Sequence, residues 1–131
     1  MSVCVLDSSA IIAIAFDEPI AASVLLRLSG YRRRVIAAPT VMETCIVHGS
    51  RRPTASAEAM DSLLTMLNVE TVDFSATMQQ RAWQAWLRYG KGRHPASLNY
   101  GDCMSYGAAA ALSAPLLFVG NDFSQTDIDA A

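Results

Sequence analysis

Residues 98–127, LNYGDCMSYGAAAALSAPLLFVGNDFSQTD, decide how the chain is read. Asn99 and Asp102 stand three apart at the head of an alanine-rich run, the pattern of a helix whose N-cap is Asn99 and whose N3 residue, Asp102, completes a capping box. Gly107 and the alanines after it allow that helix to pack very closely on a sheet. A short buried strand is expected from Pro115 to Val119, with residues 116–119 its firmest part, and it leaves through Gly120, Asn121 and Asp122. Two carboxylates therefore stand at the ends of adjacent elements. At the other end of the chain VCVL, residues 3–6, reads as a strand buried on both faces, and it gives way to Asp7, Ser8 and Ser9. A fourth acid, Glu43, falls in the middle of a helix. In an open α/β sheet the loops leaving the carboxyl ends of strands meet in one crevice where the strand order reverses. Asp7, Asp102 and Asp122 all lie at strand ends or helix starts, where such a sheet puts its crevice.

Between these ends, residues 10–16 read as a helix for which Asp7 and Ser8 are cap candidates. Asp17 as cap and Pro19 in the first turn are expected to open another helix running to Ser29 and Gly30, with Ile20, Val24 and Leu28 on its buried stripe. Tyr31, Arg32, Arg33 and Arg34 form a basic connector, either a solvated loop or a phosphate contact, before a strand at 35–38. Pro39 starts the helix that carries Glu43, which shares a side with Thr40 and Val47. A single Glu in an apolar helix either faces water or meets a cation. Arg51, Arg52 and Pro53 break that helix, and Thr54 is expected to cap a new one through Asn68. Residues 69–74 alternate apolar and polar, as a peripheral strand does. Ser75 caps a long helix over 76–89, with Met78, Ala82, Trp86 and Tyr89 on one stripe and both tryptophans reading as core or dimer-interface anchors. The loop 90–96, GKGRHPA, is either plain surface or a phosphate contact through Lys91, Arg93 and His94. Strands and helices alternating in this order specify a parallel sheet with helices on both faces.

Composition bounds the rest. The 131 residues fit a single domain, 1–131, with no internal repeat, and 52% are hydrophobic. A net charge of −2 excludes a protein that grips nucleic acid by bulk positive charge. Cys4, Cys45 and Cys103 form no C-x-x-C pair and read as reduced thiols used as small hydrophobes. Cys45 and His48 share a helix face but lack the further soft ligands of a zinc site. The longest apolar run, 10–16, is too short to span a bilayer, and no targeting segment precedes the first strand, so a soluble cytoplasmic protein is expected.

Taken singly, each acid has an ordinary explanation: Asp7 a cap, Glu43 a surface group, Asp102 half of a capping box, Asp122 an Asx turn. Together they make a pocket of like charges, which repel unless a cation sits among them. An all-carboxylate set suits Mg²⁺ or Mn²⁺ and not zinc, and such an ion supports phosphodiester hydrolysis. A phosphoryl-accepting receiver would need a lysine at a late strand end, whereas the one lysine, Lys91, lies in a loop. A haloacid-dehalogenase-like phosphatase would need an aspartate two residues after Asp7, where Ser9 stands. The stronger alternative is a catalytically lapsed module that binds RNA or a partner protein without cutting.

VLDSSA, the Glu-bearing PTVMET, YGKGRHPASLNYGDCMSYGAA and PLLFVGNDFSQTDI closely resemble the PIN-domain ribonuclease toxins of the VapC type, over nearly the whole chain. The resemblance implies a three-layer α/β/α sandwich with a mostly parallel central sheet. It also implies Mg²⁺- or Mn²⁺-dependent endoribonuclease activity, homodimerisation, and inhibition by a small cognate antitoxin. By the same resemblance Asp7, Glu43, Asp102 and Asp122 hold the positions of the acidic quartet, and Ser9 is the hydroxyl supporting the first carboxylate. Many relatives have acids at both residues after the glycine. Here Asn121 precedes Asp122, so the fourth ligand is Asp122, acts through water, or involves Asp127. Beside that resemblance, Lys91 and Arg93, and after them Arg32–Arg34, are the candidates to meet the RNA backbone.

Overall fold

A computed structural model describes residues 2–54 and 56–131. Its strands are β1 (Val3–Leu6), β2 (Arg33–Ala37), β3 (Val69–Val72) and β4 (Leu116–Leu117). The helices are α1 (Ser8–Ala15), α2 (Ala21–Ser29), α3 (Ala38–Arg51), α4 (Ala57–Met66), α5 (Ala76–Tyr89) and α6 (Tyr100–Ala111). The strands form one parallel sheet in the order β3-β2-β1-β4. The chain builds outward from β1 through β2 to β3, then crosses back to lay β4 on the other side of β1. This reversal puts the topological switch point between β1 and β4.

Side chains of β1 alternate between two cores, as the pleat requires. Val5 joins Val35, Ala37 and Leu116 in a cluster covered by α5 and α6, while Cys4 and Leu6 join Ile36, Val69 and Leu117 beneath α1, α2 and α4. Gly107 matters for the first of these layers, though its closest approach is to α5 and not to the sheet. A methyl group there would come within 2.5 Å of the Met78 carbonyl oxygen and 2.9 Å of the Ala82 Cβ. Beyond β4, Leu116 N–H donates to Asp129 O at 2.8 Å and Ala131 N–H to Leu116 O at 2.9 Å, so the C-terminal residues cover part of the sheet edge.

Several element boundaries differ from expectation, each for a local reason. Asp17 does not cap α2. It adopts a left-handed backbone (φ 47°) in a turn, and the helix begins at Ala21 behind Ile20, which makes no side-chain cap. Thr54 is likewise outside α4, whose N-cap is Ser56, and Asn68 lies past its end with φ 53°. Strand β2 starts earlier than 35 because Arg33 and Arg34 pair with Val3 and Cys4 of β1, and it ends at Ala37, with Ala38 already in α3. Strands β3 and β4 are shorter than 69–74 and 116–119. Cys45 is exposed, unlike the buried Cys4 and Cys103. Among the described residues no helix is long and apolar enough to cross a membrane.

Candidate active site

Asp7 follows β1 directly and is the N-cap of α1, its Oδ2 accepting from Ser9 N–H at 3.1 Å and Ser9 Oγ–H at 2.6 Å. Ser9 Oγ in turn accepts from Val119 N–H at 2.9 Å, which ties the first turn of α1 to the exit of β4. The other oxygen of Asp7, Oδ1, accepts from Ser105 Oγ–H of α6. Asp7 is only 5% exposed, and three hydrogen bonds to its oxygens offset the cost of keeping an anion there. A carboxylate has about four lone-pair sites, so acceptor capacity remains for a cation.

Asp102 repeats this arrangement one element away. The capping box is complete: Asn99 Oδ1 accepts from Asp102 N–H at 2.8 Å, and Asp102 Oδ2 accepts from Asn99 N–H at 3.0 Å. The box occupies one oxygen and aims the carboxylate without using Oδ1. Asp102 is 8% exposed, and burial pushes its pKa up to about 6. The Asn99 amide opposes that rise, and the charges of Asp122, Asp7 and Glu43 add to it. Glu43, half-buried on α3, is also shifted upward, first by burial and then by Asp7, with Ser8 opposing. Its Oε1 is buried without a hydrogen-bond partner. Gly101 makes room for it, since a methyl group there would fall 2.2 Å from Glu43 Oε2.

The fold therefore brings Asp7, Glu43 and Asp122 within electrostatic reach of Asp102, and Asp7 within reach of Glu43, at the carboxyl edge of the sheet. Asn121 and Asp122 are exposed beyond Gly120, whose φ of 97° turns the chain out of β4. Buried Phe123, its ring centroid 5.1 Å from that of Phe118, pins the far side of this turn. Among the described residues no ion pair engages any of the four acids. No three acidic, histidine or cysteine side chains among those residues close into a ready ligand cage either. An orphaned buried carboxylate oxygen and an all-oxygen donor set nevertheless fit a hard cation that keeps part of its water shell.

Other sequence candidates lie elsewhere. Asp127 is not among the charges acting on Asp102. It accepts from Tyr106 Oη–H and pairs with Arg88 at 3.3 Å, while its N–H donates to Tyr89 Oη at 3.2 Å, so it fastens the C-terminal segment onto α5 and α6. Arg33 pairs with Glu70, and Arg34 donates to the carbonyls of Leu67 and Tyr31, at the amino end of the sheet and away from the acids. The loop after α5 is closed by Leu98 N–H to Tyr89 O and Lys91 N–H to Leu98 O, both 2.9 Å, with Lys91 and Arg93 exposed. His94 is spent within it, its Nδ1 accepting from Ala96 N–H at 3.0 Å. Sequence reasoning missed Ser105 and Gly101. Ser105 sits three residues after Asp102 on one helix face, a spacing that would have flagged it.

A PIN domain model matches residues 4–129. Ribonuclease VapC36 of Mycobacterium tuberculosis is 40% identical over 126 residues, covering 95% of this chain and 91% of that protein. Among solved structures, the sarcin-ricin loop cleaving toxin VapC20 of Mycobacterium tuberculosis superposes with a TM-score of 0.76 at 14% identity, over 98% of each chain. A toxin-antitoxin complex from Klebsiella pneumoniae gives 0.68 at 16% identity, over 95% of this chain and 92% of that one. PIN-domain nucleases of the VapC type generally use a divalent metal. A family model spanning nearly the whole sequence, together with that level of identity to a VapC ribonuclease, places the chain in the PIN-domain family of VapC ribonucleases.

Proposed function

We propose that this chain, acting as one domain in the cytoplasm, is the endoribonuclease toxin of a two-component toxin–antitoxin system, hydrolysing RNA phosphodiester bonds at a Mg²⁺ or Mn²⁺ site. The convergence of Asp7, Glu43, Asp102 and Asp122, with Asp102 pushed to about 6 by burial and its neighbours' charge, carries this reading. Asp7 and Asp102 would hold the ion, Glu43 would lend its unpartnered Oε1 or position the attacking water, and Asp122, exposed beyond β4, would complete the ring through water. Such an ion supplies charge neutralisation at phosphorus and a lowered pKa for the attacking water. Ser9 and Ser105 keep the Asp7 carboxylate in place, and the capping box does the same for Asp102. Lys91 and Arg93 would meet the backbone phosphates that the acids repel when no ion is bound.

The inhibiting partner is a small cognate antitoxin, by analogy with the toxin-antitoxin complex whose fold this chain shares. Homodimerisation has an exposed apolar ridge available in Met42 and Ile46, one turn apart on α3. The decisive test incubates the purified protein with total RNA in Mn²⁺ and in EDTA, beside Asp7→Asn and Asp102→Asn. Cleavage confined to the wild type with Mn²⁺ is expected. Undiminished cleavage by either variant overturns the assignment, and RNA binding without cleavage points to a lapsed module.

A further inference from the structure

A groove of about 760 Å³ opens between α5 and the first turn of α6, within the range of small-ligand sites. Phe74, Trp83, Trp86 and Tyr100 supply aromatic surface to it, with Gln79, Asn99 and Lys91 as polar members. Trp83 is 55% and Tyr100 76% exposed, so large aromatic faces stand in solvent and are not spent in the core. Trp86 is held in place, because its indole lies against Gly90, where a methyl group would come within 2.8 Å of its Cδ2 and Cε3. None of the four acids lines the groove, but its wall touches one of them: Asn99 N–H donates to Asp102 Oδ2 at 3.0 Å.

Resting on the ribonuclease reading, we infer that this groove receives an unstacked nucleobase of the RNA strand, with the neighbouring phosphate on Lys91. Bases in single strands stack on aromatic side chains whatever their sequence, and an adjacent cation takes the neighbouring phosphate. The lining supports this occupant over an apolar segment of protein. It contains one cation, Lys91, and no acid, so a hydrophobic partner would strand that charge, whereas a phosphate neutralises it. Trp83 and Tyr100 are then specificity-determining residues, and Lys91 a phosphate contact.

The test uses short RNAs, each carrying one abasic nucleotide at a successive position, with binding read by fluorescence anisotropy in EDTA and low salt so that turnover plays no part. One abasic position is expected to weaken binding to the wild type about ten-fold. Trp83→Ala should weaken binding of the intact RNA by a similar factor, with no further loss at that abasic position, and Trp83→Phe should restore most of the affinity. In Mn²⁺ the same Trp83→Ala variant should raise KM more than it lowers kcat. The inference is overturned if no abasic position matters, or if the abasic and Trp83→Ala losses multiply independently. It is also overturned if Trp83→Ala changes only the sedimentation coefficient, which would assign the groove to a second copy of the chain. Failure of the wild type to cleave RNA at all would sink the ribonuclease reading instead, and the EDTA binding data would still decide about the groove.

Discussion

The two edges of the same parallel sheet treat charge in opposite ways. At the amino edge Arg33 faces Glu70 at 3.4 Å, and Arg34 gives its N–H groups to the carbonyls of Tyr31 and Leu67. Charge there is discharged locally, and the residues serve the scaffold. At the carboxyl edge Asp7, Glu43, Asp102 and Asp122 have no basic partner among the described residues, and Glu43 Oε1 is left bare. An edge that raises the pKa values of Glu43 and Asp102 costs folding free energy, which makes it the candidate site.

The largest effect expected from this contrast is on catalysis. Asp7→Asn or Asp102→Asn should lower Mn²⁺-dependent RNA cleavage by roughly 10²- to 10³-fold with the circular dichroism spectrum unchanged. A loss below ten-fold would put these carboxylates outside the reaction. Next, Ser105→Ala removes the hydroxyl bonded to Asp7 Oδ1. It should destabilise the fold by about 1.5–3 kcal/mol in urea titration and weaken Mn²⁺ binding measured by calorimetry. An unaltered Mn²⁺ affinity would reduce Ser105 to a packing residue. Gly101→Ala tests the cradle of Glu43: although alanine favours helices, the added methyl must displace a carboxylate 2.2 Å away. Overpacking of about 1–3 kcal/mol and reduced cleavage are expected, and a variant as active as the wild type would show that Glu43 need not stand there.

Smaller effects concern pH and the opposite edge. Folding raises the Asp102 pKa from 3.8 to about 6, so the folded state favours the protonated acid. Its contribution is fully present below the ordinary carboxylate value and is lost as pH rises through about 6. Metal-free protein should therefore melt at a higher temperature at pH 5 than at pH 7.5 as far as this group is concerned. Asp102→Asn should flatten that part of the profile, and Mn²⁺ should stabilise the wild type more at pH 7.5 than at pH 5. Identical profiles for wild type and variant would contradict the shift. Arg33→Ala should do least: about 0–1 kcal/mol for an exposed pair, with cleavage untouched. A clear drop in activity would show that the amino edge also touches RNA.

Much of this fold was legible from local chemistry. The α5 limits followed from Ser75 as cap and the apolar stripe, and the Asn99–Asp102 box followed from spacing alone. Reading each acid as either a cap or a site residue posed a false choice. In Asp7 and Asp102 capping engages one oxygen and orients the other, so a cap is also a candidate ligand. Misplaced boundaries fell where backbone conformation overrode side-chain preference, as at Asp17 and Asn68, both left-handed. Asp127 shows a different limit. The resemblance left it as one alternative for the fourth ligand, and only packing revealed that Tyr106 and Arg88 hold it. The two tryptophans, read together as anchors, divide: Trp86 packs partly into the core, and Trp83 stands out in the groove.

By itself the sequence determined the elements, their parallel arrangement and the candidate acids, because capping spacings, apolar periodicity and strand-end positions are short-range properties written in neighbouring residues. Only the tertiary structure decided that Ser105 reaches Asp7 from another helix, that Glu43 fits against Gly101, and that the aromatic groove opens beside Asp102. These depend on how closely α3, α5 and α6 approach one another, and that distance is set by packing of side chains far apart in the chain.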